Sequence, residues 1–398
     1  MEKIKLLFYG DSPTVNTGFA TVSKNILKRL QATGKYDITV LGINYFGDPH
    51  DLPYKIYPAI DRRNDVYGRK RLLELLKAKD FDILFTLQDT FIMATIGKAI
   101  KKIKKDFKWI YYYPIDVAPQ EDWIKQSVAY CDVAIPYTKY AKKESEKILK
   151  RDYEVIYHGY DKDDFYIMSD EEKNNFKNKF FKDNNDTFFI ININRNQERK
   201  GYLQTLLAFK LFNNIVPRST LYTHCDVAND RGGNLIQVAK QIGLANNWIY
   251  PNPEIFKKGI SFPTKYINGL YNIADVNIST TYGEGFGLSM VEAMATKTLN
   301  IFPDNTAIKE IIGKDRGLLV KSGNTPNNLI ANGHLDNNVV RPVTDVVDMV
   351  NKLLWAYKNK EGVKKIEETA YIWAKENLDW DKIGEKFNKL IIKAYGKN

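Results

Sequence analysis

The chain has 398 residues, of which 44% are hydrophobic and 13% aromatic, and it carries a formal net charge of +11. This length exceeds the usual size of a single core, and the apolar content supports buried cores and excludes a disordered chain. The sequence contains no run of about 18 apolar residues and only two distant cysteines, so we expect neither a membrane-spanning helix nor a disulfide framework.

Strand and helix patterns alternate along the first half of the chain. A strand is predicted at residues 4–9, and an amphipathic helix at 17–32 ends at Gly34. Further apolar or aromatic runs predict strands covered on both faces, at residues 38–43, 83–87, 109–113, 133–137 and 153–157. The alternation favours a parallel sheet. The polar stretch 168–187 is expected to connect two domains.

A second alternating set follows. Its predicted strands cover residues 188–194, 220–224, 248–250, 276–279 and 299–302. A helix at 202–212 follows the first of them, and the chain closes with further helices. Residues 322–342 are rich in Asn and Gly and are expected to form a loop. The pattern predicts an α/β protein with two Rossmann-like domains.

The stretch 281–295, TYGEGFGLSMVEAMA, carries the strongest functional signal. A β-type run ends in a turn with three glycines, at positions 283, 285 and 287, and the turn opens a helix. Free amides and the helix dipole make such a turn an anion site. Glu284 and Glu292, which can accept hydrogen bonds from hydroxyl groups, flank it. The sequence therefore indicates a ligand with both phosphates and sugars, such as a nucleotide sugar.

The two glutamates, eight positions apart, resemble the E-x7-E signature of the family 4 retaining glycosyltransferases. The resemblance covers nearly the whole chain and implies the GT-B fold, in which two parallel-sheet domains face each other across a cleft. It implies an N-terminal acceptor domain at 1–165 and a C-terminal donor domain at 166–377. The last helix, 378–398 with Trp380, would pack back on the first domain.

The resemblance also implies roles for residues of the glycine-containing turn. Glu284 would contact the donor sugar, and Glu292 would bind the ribose. Phe286, Gly287 and Leu288 would supply backbone donors to the sugar and phosphate. The co-substrate implied is a nucleotide sugar, with a UDP-sugar expected, and no other cofactor.

A basic segment follows the first strand of the second domain. Arg195 and Lys200 are five positions apart and suit a leaving diphosphate, and Arg199 competes for the phosphate role. The segment resembles the family's G-R-x-x-x-x-K-G motif, with Asn194 in place of the usual glycine. We expect Arg195 and Lys200 to act in both donor binding and catalysis.

The loop at residues 11–19 joins the first strand to its helix, where the family usually carries a glycine pair. Only Gly18 remains, which we assign to donor binding, while Asn16 and Thr17 can cap the helix or bind the acceptor. No G-x-G-x-x-G motif is present, which disfavours a nicotinamide oxidoreductase.

Two further positions follow strands of the first domain. Many relatives place a His-Asp pair where this chain has Ile115 and Asp116, so Asp116 is a candidate for orienting the acceptor hydroxyl or the donor sugar. His158 lies in a segment that resembles the family's hinge, and we interpret it as structural. The four histidines lack paired spacing and there is no convincing Asp-x-Asp motif, so no metal site is predicted.

The acceptor is the least determined part of the hypothesis. Most of the positive excess lies in residues 1–160, with clusters at 98–108 and 139–151, and such a surface attracts polyanions. One interpretation is a viral or phage-type enzyme in the host cytoplasm that glycosylates hydroxymethylated pyrimidines in DNA. A base buried in a duplex would need extrusion, and Tyr111–Tyr113 could then offer a stacking surface, although packing in the core is favoured.

Three alternatives remain open. The first is a cytoplasmic enzyme of surface-polysaccharide or glycolipid synthesis that docks on anionic membrane through its basic face. The second is a non-catalytic protein of this fold that binds a sugar or nucleic acid. The third is a related epimerase or phosphorylase, although no lysine for pyridoxal attachment can be identified. The oligomeric state, the linkage and the donor sugar are not indicated by the sequence.

Overall fold

A computed structural model describes residues 2–61, 65–118, 121–181, 186–228, 231–244, 247–258, 261–331 and 339–396. The chain folds as two compact units, one made of residues 1–159 and 380–398 and the other of residues 160–379. No helix in the described ranges combines the length and apolarity needed to cross a membrane.

The first unit contains six strands: Ile4–Asp11 (β1), Tyr36–Ile43 (β2), Lys55–Pro58 (β3), Ile83–Leu87 (β4), Lys108–Tyr113 (β5) and Val133–Pro136 (β6). Its helices are Gly18–Ala32 (α1), Arg69–Ala78 (α2), Thr90–Ala94 (α3), Gly97–Lys101 (α4), Glu121–Gln126 (α5), Lys139–Ile148 (α6) and the C-terminal Trp380–Tyr395 (α16). The strands pair in parallel in the order β3-β2-β1-β4-β5-β6. This is the Rossmann strand order.

The second unit repeats this order. Its strands are Phe188–Ile193 (β7), Ser219–His224 (β8), Trp248–Ile249 (β9), Val276–Ile278 (β10), Leu299–Pro303 (β11) and Leu318–Val320 (β12), with a separate hairpin of Leu329–Ala331 (β13) and Val340–Pro342 (β14). Its helices are Asp170–Phe181 (α7), Tyr202–Ile215 (α8), Leu235–Gln241 (α9), Pro253–Lys257 (α10), Thr264–Ile273 (α11), Leu288–Ala295 (α12), Thr306–Ile312 (α13), Val346–Lys358 (α14) and Lys360–Asn377 (α15). The six-stranded sheet runs β12-β11-β10-β7-β8-β9, again all parallel. The predicted α/β fold class, with two Rossmann-like parallel sheets, is confirmed.

Each sheet is buried on both faces because its central strands are continuously apolar. In β1 every residue except Lys5 is buried, and β4 is buried throughout. In the second unit Phe188 and Ile190 join the core on one face of the sheet, together with Leu206 and Phe209 of α8. Helices packed on the sheet thus cover strands that carry no polar face.

The tyrosines of β5 lie in the core. Tyr111, Tyr112 and Tyr113 are each 0% exposed, and burial raises their pKa values well above the ordinary value of a phenol. Tyr111 donates to the Gln88 carbonyl at 3.1 Å, and Tyr112 to the Ile156 carbonyl at 2.9 Å. The idea that these rings form a stacking surface for an extruded base is therefore wrong, because their faces and hydroxyls are used inside the unit.

His158 and Trp380 belong to one aromatic cluster in the first unit. The His158 ring packs against Tyr137 and, at 6.2 Å between ring centres, against Trp380. Its Nδ1 lies 2.6 Å from the Tyr112 hydroxyl. Burial lowers the pKa of His158 to about 3, so the ring is neutral at physiological pH. Phe387 of α16 packs against Tyr112 in the same cluster, which joins the last helix to β5.

Several local predictions were wrong. Residues 153–157 form no strand; Tyr153 makes only an isolated bridge to Ala134. The stretch 168–187 contains α7 rather than a plain connection, and residues 182–185 lie outside the described part. The segment 322–342 includes the hairpin of β13 and β14, while residues 332–338 are outside the described ranges. The edge strands β3 and β12 were not predicted.

Candidate functional site

The site is built on two loops of the second unit, residues 194–201 after β7 and residues 279–287 after β10. These two strands are neighbours in the sheet, and the chain continues from them to opposite sides, to β8 and to β11. In open α/β sheets, ligands bind at the carboxyl ends of strands where the strand order reverses in this way. The two loops therefore occupy the expected ligand edge of the sheet.

Hydrogen bonds join the two loops. The Tyr282 amide donates to the Arg199 carbonyl at 2.7 Å, and the Thr280 hydroxyl donates to the Gly201 carbonyl at 2.7 Å. In return, Arg199 Nη1 donates to the Gly283 carbonyl at 2.9 Å. Because each loop satisfies backbone groups of the other, the two form one structural element.

Gly201 allows this close approach. Its φ of +63° is in the left-handed region, and a Cβ atom there would lie 2.4 Å from the Thr280 carbonyl oxygen. Thr280 is also tied to Thr205 of α8, with 2.6 Å between the hydroxyl oxygens. A side chain at position 201 would therefore be strained in conformation and would push the two loops apart.

At the centre of the joined loops lies a buried ion pair. Lys200 is 8% exposed and Glu284 6% exposed, and their Nζ and Oε1 atoms are 2.5 Å apart. Arg199 adds a second cation, with Nη1 3.6 Å from Oε2 of Glu284. Taking both charges out of water is costly, and a buried ion pair is weak evidence for stability. Such a costly pair at a ligand edge indicates a functional role.

The turn after Glu284 leads into α12. Gly287 caps this helix with a φ of +92°, and a Cβ there would lie 2.3 Å from the Met290 methyl carbon. Phe286 is buried and Leu288 is the first helical residue. Amides at the cap and in the first turn of a helix have no partner within the helix, so Gly287 and Leu288 place their amides at the positive end of the helix dipole, directly after Phe286.

Glu292 lies one turn into α12. Its Oε2 accepts a hydrogen bond of 2.9 Å from the Tyr271 hydroxyl of α11. The pKa of Glu292 is raised to about 7: burial raises it most, the Tyr271 hydrogen bond lowers it in part, and the nearby Asp164 also raises it. The carboxyl group therefore changes charge near neutral pH.

The basic residues of the first loop have different positions. Arg199 and Lys200 belong to a short 3₁₀ turn, Glu198–Lys200, that leads into α8. Arg195 has an exposed side chain, and Asn194 donates to Asn192 at 2.7 Å within the loop. Arg199, considered in the sequence as a competitor of Arg195, lies with its Nη1 atom 3.6 Å from Oε2 of Glu284.

The candidate acceptor residues lie in the first unit. Thr17 caps α1 by accepting from the Ala20 amide at 3.0 Å, and its hydroxyl donates to Asp11 at 2.5 Å. Asn16 and Gly18 are exposed beside it. Thr17 therefore has a structural role in orienting the loop.

Asp116 is half-buried in the segment after β5, next to the buried Ile115. No cluster of three or more potential metal-ligating His, Cys, Asp or Glu side chains occurs among the residues that the structure describes.

Some site residues could not be recognised in the sequence. Tyr271 precedes Glu292 by 21 positions and lies on another helix, so no local pattern joins them. Asn305 and Thr306, which contact the 281–284 turn from a third loop, follow β11 and Asp304 without a glycine-containing turn that marks a site. Their contacts arise only from the order of strands in the sheet.

Comparison with known proteins agrees with this geometry. Residues 172–332 match the model of the family described as "Glycosyl transferases group 1", a range that includes both loops. No curated protein sequence matches the chain significantly.

Solved structures resemble the whole chain. A sucrose-phosphate synthase from Thermosynechococcus elongatus has a TM-score of 0.78 at 15% identity, with 100% of each chain covered. A glycosyltransferase from Rickettsia africae has 0.73 at 16%, also with 100% of each covered. Anabaena HepE in complex with UDP-glucose has 0.72 at 14%, over 98% of this chain and 100% of HepE. Residues 172–332 are thus similar to the group 1 glycosyltransferases, and the chain has the GT-B type of fold.

Proposed function

We propose that this protein is a retaining glycosyltransferase that moves a sugar from a nucleotide-sugar donor to an acceptor hydroxyl. The observation that carries the proposal is the buried Lys200–Glu284 pair, held between two joined loops at the ligand edge of the sheet. It supplies a cation for phosphate and a carboxylate for hydroxyl groups at one point. A UDP-sugar is the proposed donor, and the UDP-glucose held by the similar Anabaena structure supports it.

Each part of the site has a proposed role toward this donor. Lys200 and Arg199, together with the exposed Arg195, neutralise the diphosphate, and the amides at 286–288 donate to its oxygens. Glu284 accepts hydrogen bonds from sugar hydroxyls. When the donor binds, these hydrogen bonds replace part of the interaction between Glu284 and Lys200. Glu292 binds the ribose hydroxyls in its ionised form.

The chemistry proposed is bond cleavage through an oxocarbenium-like transition state. Negative charge grows on the leaving phosphate as the bond to the anomeric carbon breaks. Fixed cations and amides stabilise that charge without reorganising at the moment of reaction. In the front-face mechanism that we favour, the leaving phosphate accepts the proton of the acceptor hydroxyl, so no protein nucleophile is required. Asp116 and Asn16 are proposed to orient the acceptor, and Thr17 is proposed to act on it only through the loop that it holds.

The donor assignment is tested by thermal unfolding with a panel of nucleoside diphosphates and nucleotide sugars. A ligand that binds the native state raises the melting temperature, by an amount that depends on its concentration relative to Kd. We expect a selective increase with one nucleotide sugar, lost in Glu292→Ala. Glu284→Ala and Lys200→Ala are expected chiefly to reduce turnover. Wild-type rates in all three variants would refute the site assignment, and binding without turnover by the wild type would support the non-catalytic alternative.

For the acceptor we propose a hydroxymethylated pyrimidine in DNA. A groove of about 400 Å³ in the first unit supports a polyanionic partner, and four of its six lining residues are lysines, namely Lys77, Lys102, Lys104 and Lys105. These residues precede β4 and β5, so the groove lies at the amino edge of the sheet, opposite the edge of Asn16 and Asp116. The strands that separate these two edges are roughly 20 Å long, which is less than one helical turn of a DNA duplex. One duplex can therefore reach from the groove to the edge that carries Asn16 and Asp116.

An anionic membrane surface is the alternative partner for the same lysines. Binding to duplex DNA that falls steeply with salt, without binding to acidic or neutral vesicles, would support the nucleic acid. Binding to acidic vesicles alone would support a membrane-associated enzyme. Replacement of Lys102 and Lys104 by Glu is expected to weaken whichever association is real while leaving donor binding unchanged.

A further inference from the structure

We infer that Thr306 is a positioning residue for Glu284, and that its hydroxyl group fixes the backbone on which this carboxylate stands. Thr306 begins α13, with two residues between it and the end of β11, and is 9% exposed. Its Oγ1 accepts a hydrogen bond of 2.9 Å from the backbone amide of Glu284. The catalytic part of this inference rests on the function proposed above, whereas the contact itself does not.

The backbone of Thr306 is strained. Its φ is +41°, in the left-handed region that L side chains rarely adopt and that is an outlier for a β-branched residue. A glycine would adopt this conformation without strain. Strained residues persist where their surroundings hold them and cluster at functional sites. The hydrogen bonds that the Thr306 hydroxyl makes are the physical reason we assign for a threonine at this φ.

Both hydrogen-bonding capacities of that hydroxyl are used. While it accepts from Glu284, it donates to Oδ1 of Asn305 at 3.1 Å. Asn305 in turn donates through Nδ2 to the Thr281 carbonyl at 3.2 Å. Residues 305 and 306 thus form a clamp on the 281–284 turn, from the loop after β11.

The clamp and the ion pair hold Glu284 at different points. Lys200, from the loop after β7, contacts the carboxylate, whereas Thr306 contacts the amide. A carboxylate that must contact a donor sugar in the transition state benefits from such fixation, because small displacements of a catalytic group cost much of its effect. We expect Thr306 to affect the rate of transfer more than donor affinity.

Three substitutions at position 306 distinguish the effect of the hydroxyl group from the effect of the strained φ. Thr306→Ser keeps the hydroxyl, Thr306→Ala removes it and keeps the strain, and Thr306→Gly removes both. Hydrogen exchange at the Glu284 amide is expected to remain slow in the serine variant. In the other two variants it should accelerate by about tenfold, because a hydrogen bond of ordinary net strength is lost. Thr306→Gly should melt at or above the temperature of Thr306→Ala, since it relieves the strained φ.

The same variants give a kinetic readout with the donor that the wild type uses. We expect the turnover number of the alanine and glycine variants to fall by tenfold or more, with KM for the donor changed less than about threefold, and the serine variant to recover it. The inference is overturned if amide exchange in Thr306→Gly stays as slow as in the wild type, or if Thr306→Ser is as impaired as Thr306→Ala. Absence of turnover in the wild type would instead refute the proposed function, while amide exchange would still decide the contact.

Discussion

Breaking the Lys200–Glu284 pair is predicted to cost stability, whereas removing both charges is not. Lys200→Met replaces the ammonium by an apolar group of similar length and leaves Glu284 buried among the residues of two loops. A buried charge left without its partner typically costs about 3–5 kcal/mol. Arg199, 3.6 Å from the other carboxylate oxygen, compensates part of this loss. We therefore expect Lys200→Met to lower the free energy of unfolding by about 2–3 kcal/mol.

The unit that holds the pair comprises residues 160–379. For domains of about this size, 1 kcal/mol corresponds to roughly 2–4 °C in the melting temperature, so Lys200→Met is expected to lower the transition of this unit by about 4–12 °C. Glu284→Gln should have a comparable effect, because it strands the lysine. The double variant Lys200→Met/Glu284→Gln should recover most of the loss, since no uncompensated charge remains.

Differential scanning calorimetry of the wild type, the two single variants and the double variant closes this double-mutant cycle. The matched control is Lys364→Met, which removes a lysine of the same unit whose pair with Glu361 is solvent-exposed and is expected to contribute less than about 1 kcal/mol. If the effects of the two single substitutions simply add in the double variant, the two charges are not coupled and the description of the site is wrong.

Three further predictions concern pH and backbone conformation. The raised pKa of Glu292, about 7 against an ordinary value of 4.5, means that the native state binds more protons in this window, so Glu292 should lower the stability of its unit by about 2–3 kcal/mol as pH rises from 5 to 8. Burial also raises the pKa of Glu367 in the same unit to about 7, so Glu292→Gln should remove only the contribution of Glu292 to this slope in denaturant titrations, while weakening nucleotide binding; an unchanged slope would contradict the assignment. The pH dependence of stability that is due to His158 has the opposite sign, because its pKa of about 3 is below the ordinary 6.5. The free energy of unfolding of the first unit should fall by about 1.4 kcal/mol per pH unit below about pH 6, as the unfolded chain takes up the proton. This loss should be absent in His158→Gln, and its persistence there would show that another group is responsible. Gly201→Ala, whose Cβ would clash with the Thr280 carbonyl, should lower the melting temperature more than the control Gly243→Ala. Gly243 has a similar φ of +68° but only the flexible end of Lys210 nearby. Equal losses in the two variants would mean that glycine is needed at position 201 only for its backbone conformation and not for the close approach of the loops.

The parallel sheets were predictable because their strands are buried on both faces and therefore carry long apolar or aromatic runs. The edge strands β3 and β12 escaped prediction because they lack such a run. Lys55–Pro58 and Leu318–Val320 are short and only partly buried, so no strong pattern marks them. Residues 153–157 show the converse case. Their apolar side chains pack in the first unit while the backbone pairs at Tyr153 alone.

Helix α7 was missed although its sequence contains a signal. Ser169 and Glu172 form a capping box, in which the Ser169 amide donates to Oε2 of Glu172 at 2.9 Å. Phe176 and Phe180, four positions apart, stack on one side of the helix. The high content of Asn and Lys concealed this pattern, because no residue of the helix is fully buried.

In the candidate site, the local motifs were visible and the long-range contacts were not. The glycine turn with Glu284 and the Arg199-Lys200 segment could be found because each follows a predicted strand. That Lys200 and Glu284 pair at 2.5 Å follows from the adjacency of β7 and β10, which the sequence does not state. Thr306 contacts Glu284 across 22 positions for the same reason.

The most direct test of the central claim is release of nucleoside diphosphate from the nucleotide sugar that raises the melting temperature of the wild type. The comparison is between the wild type and the double variant Lys200→Met/Glu284→Gln, which is expected to remain folded. We predict release by the wild type and a loss of at least 100-fold in the double variant, because the cation and the carboxylate both act in the transition state. Equal rates in the two proteins would contradict the placement of the donor site at Lys200 and Glu284.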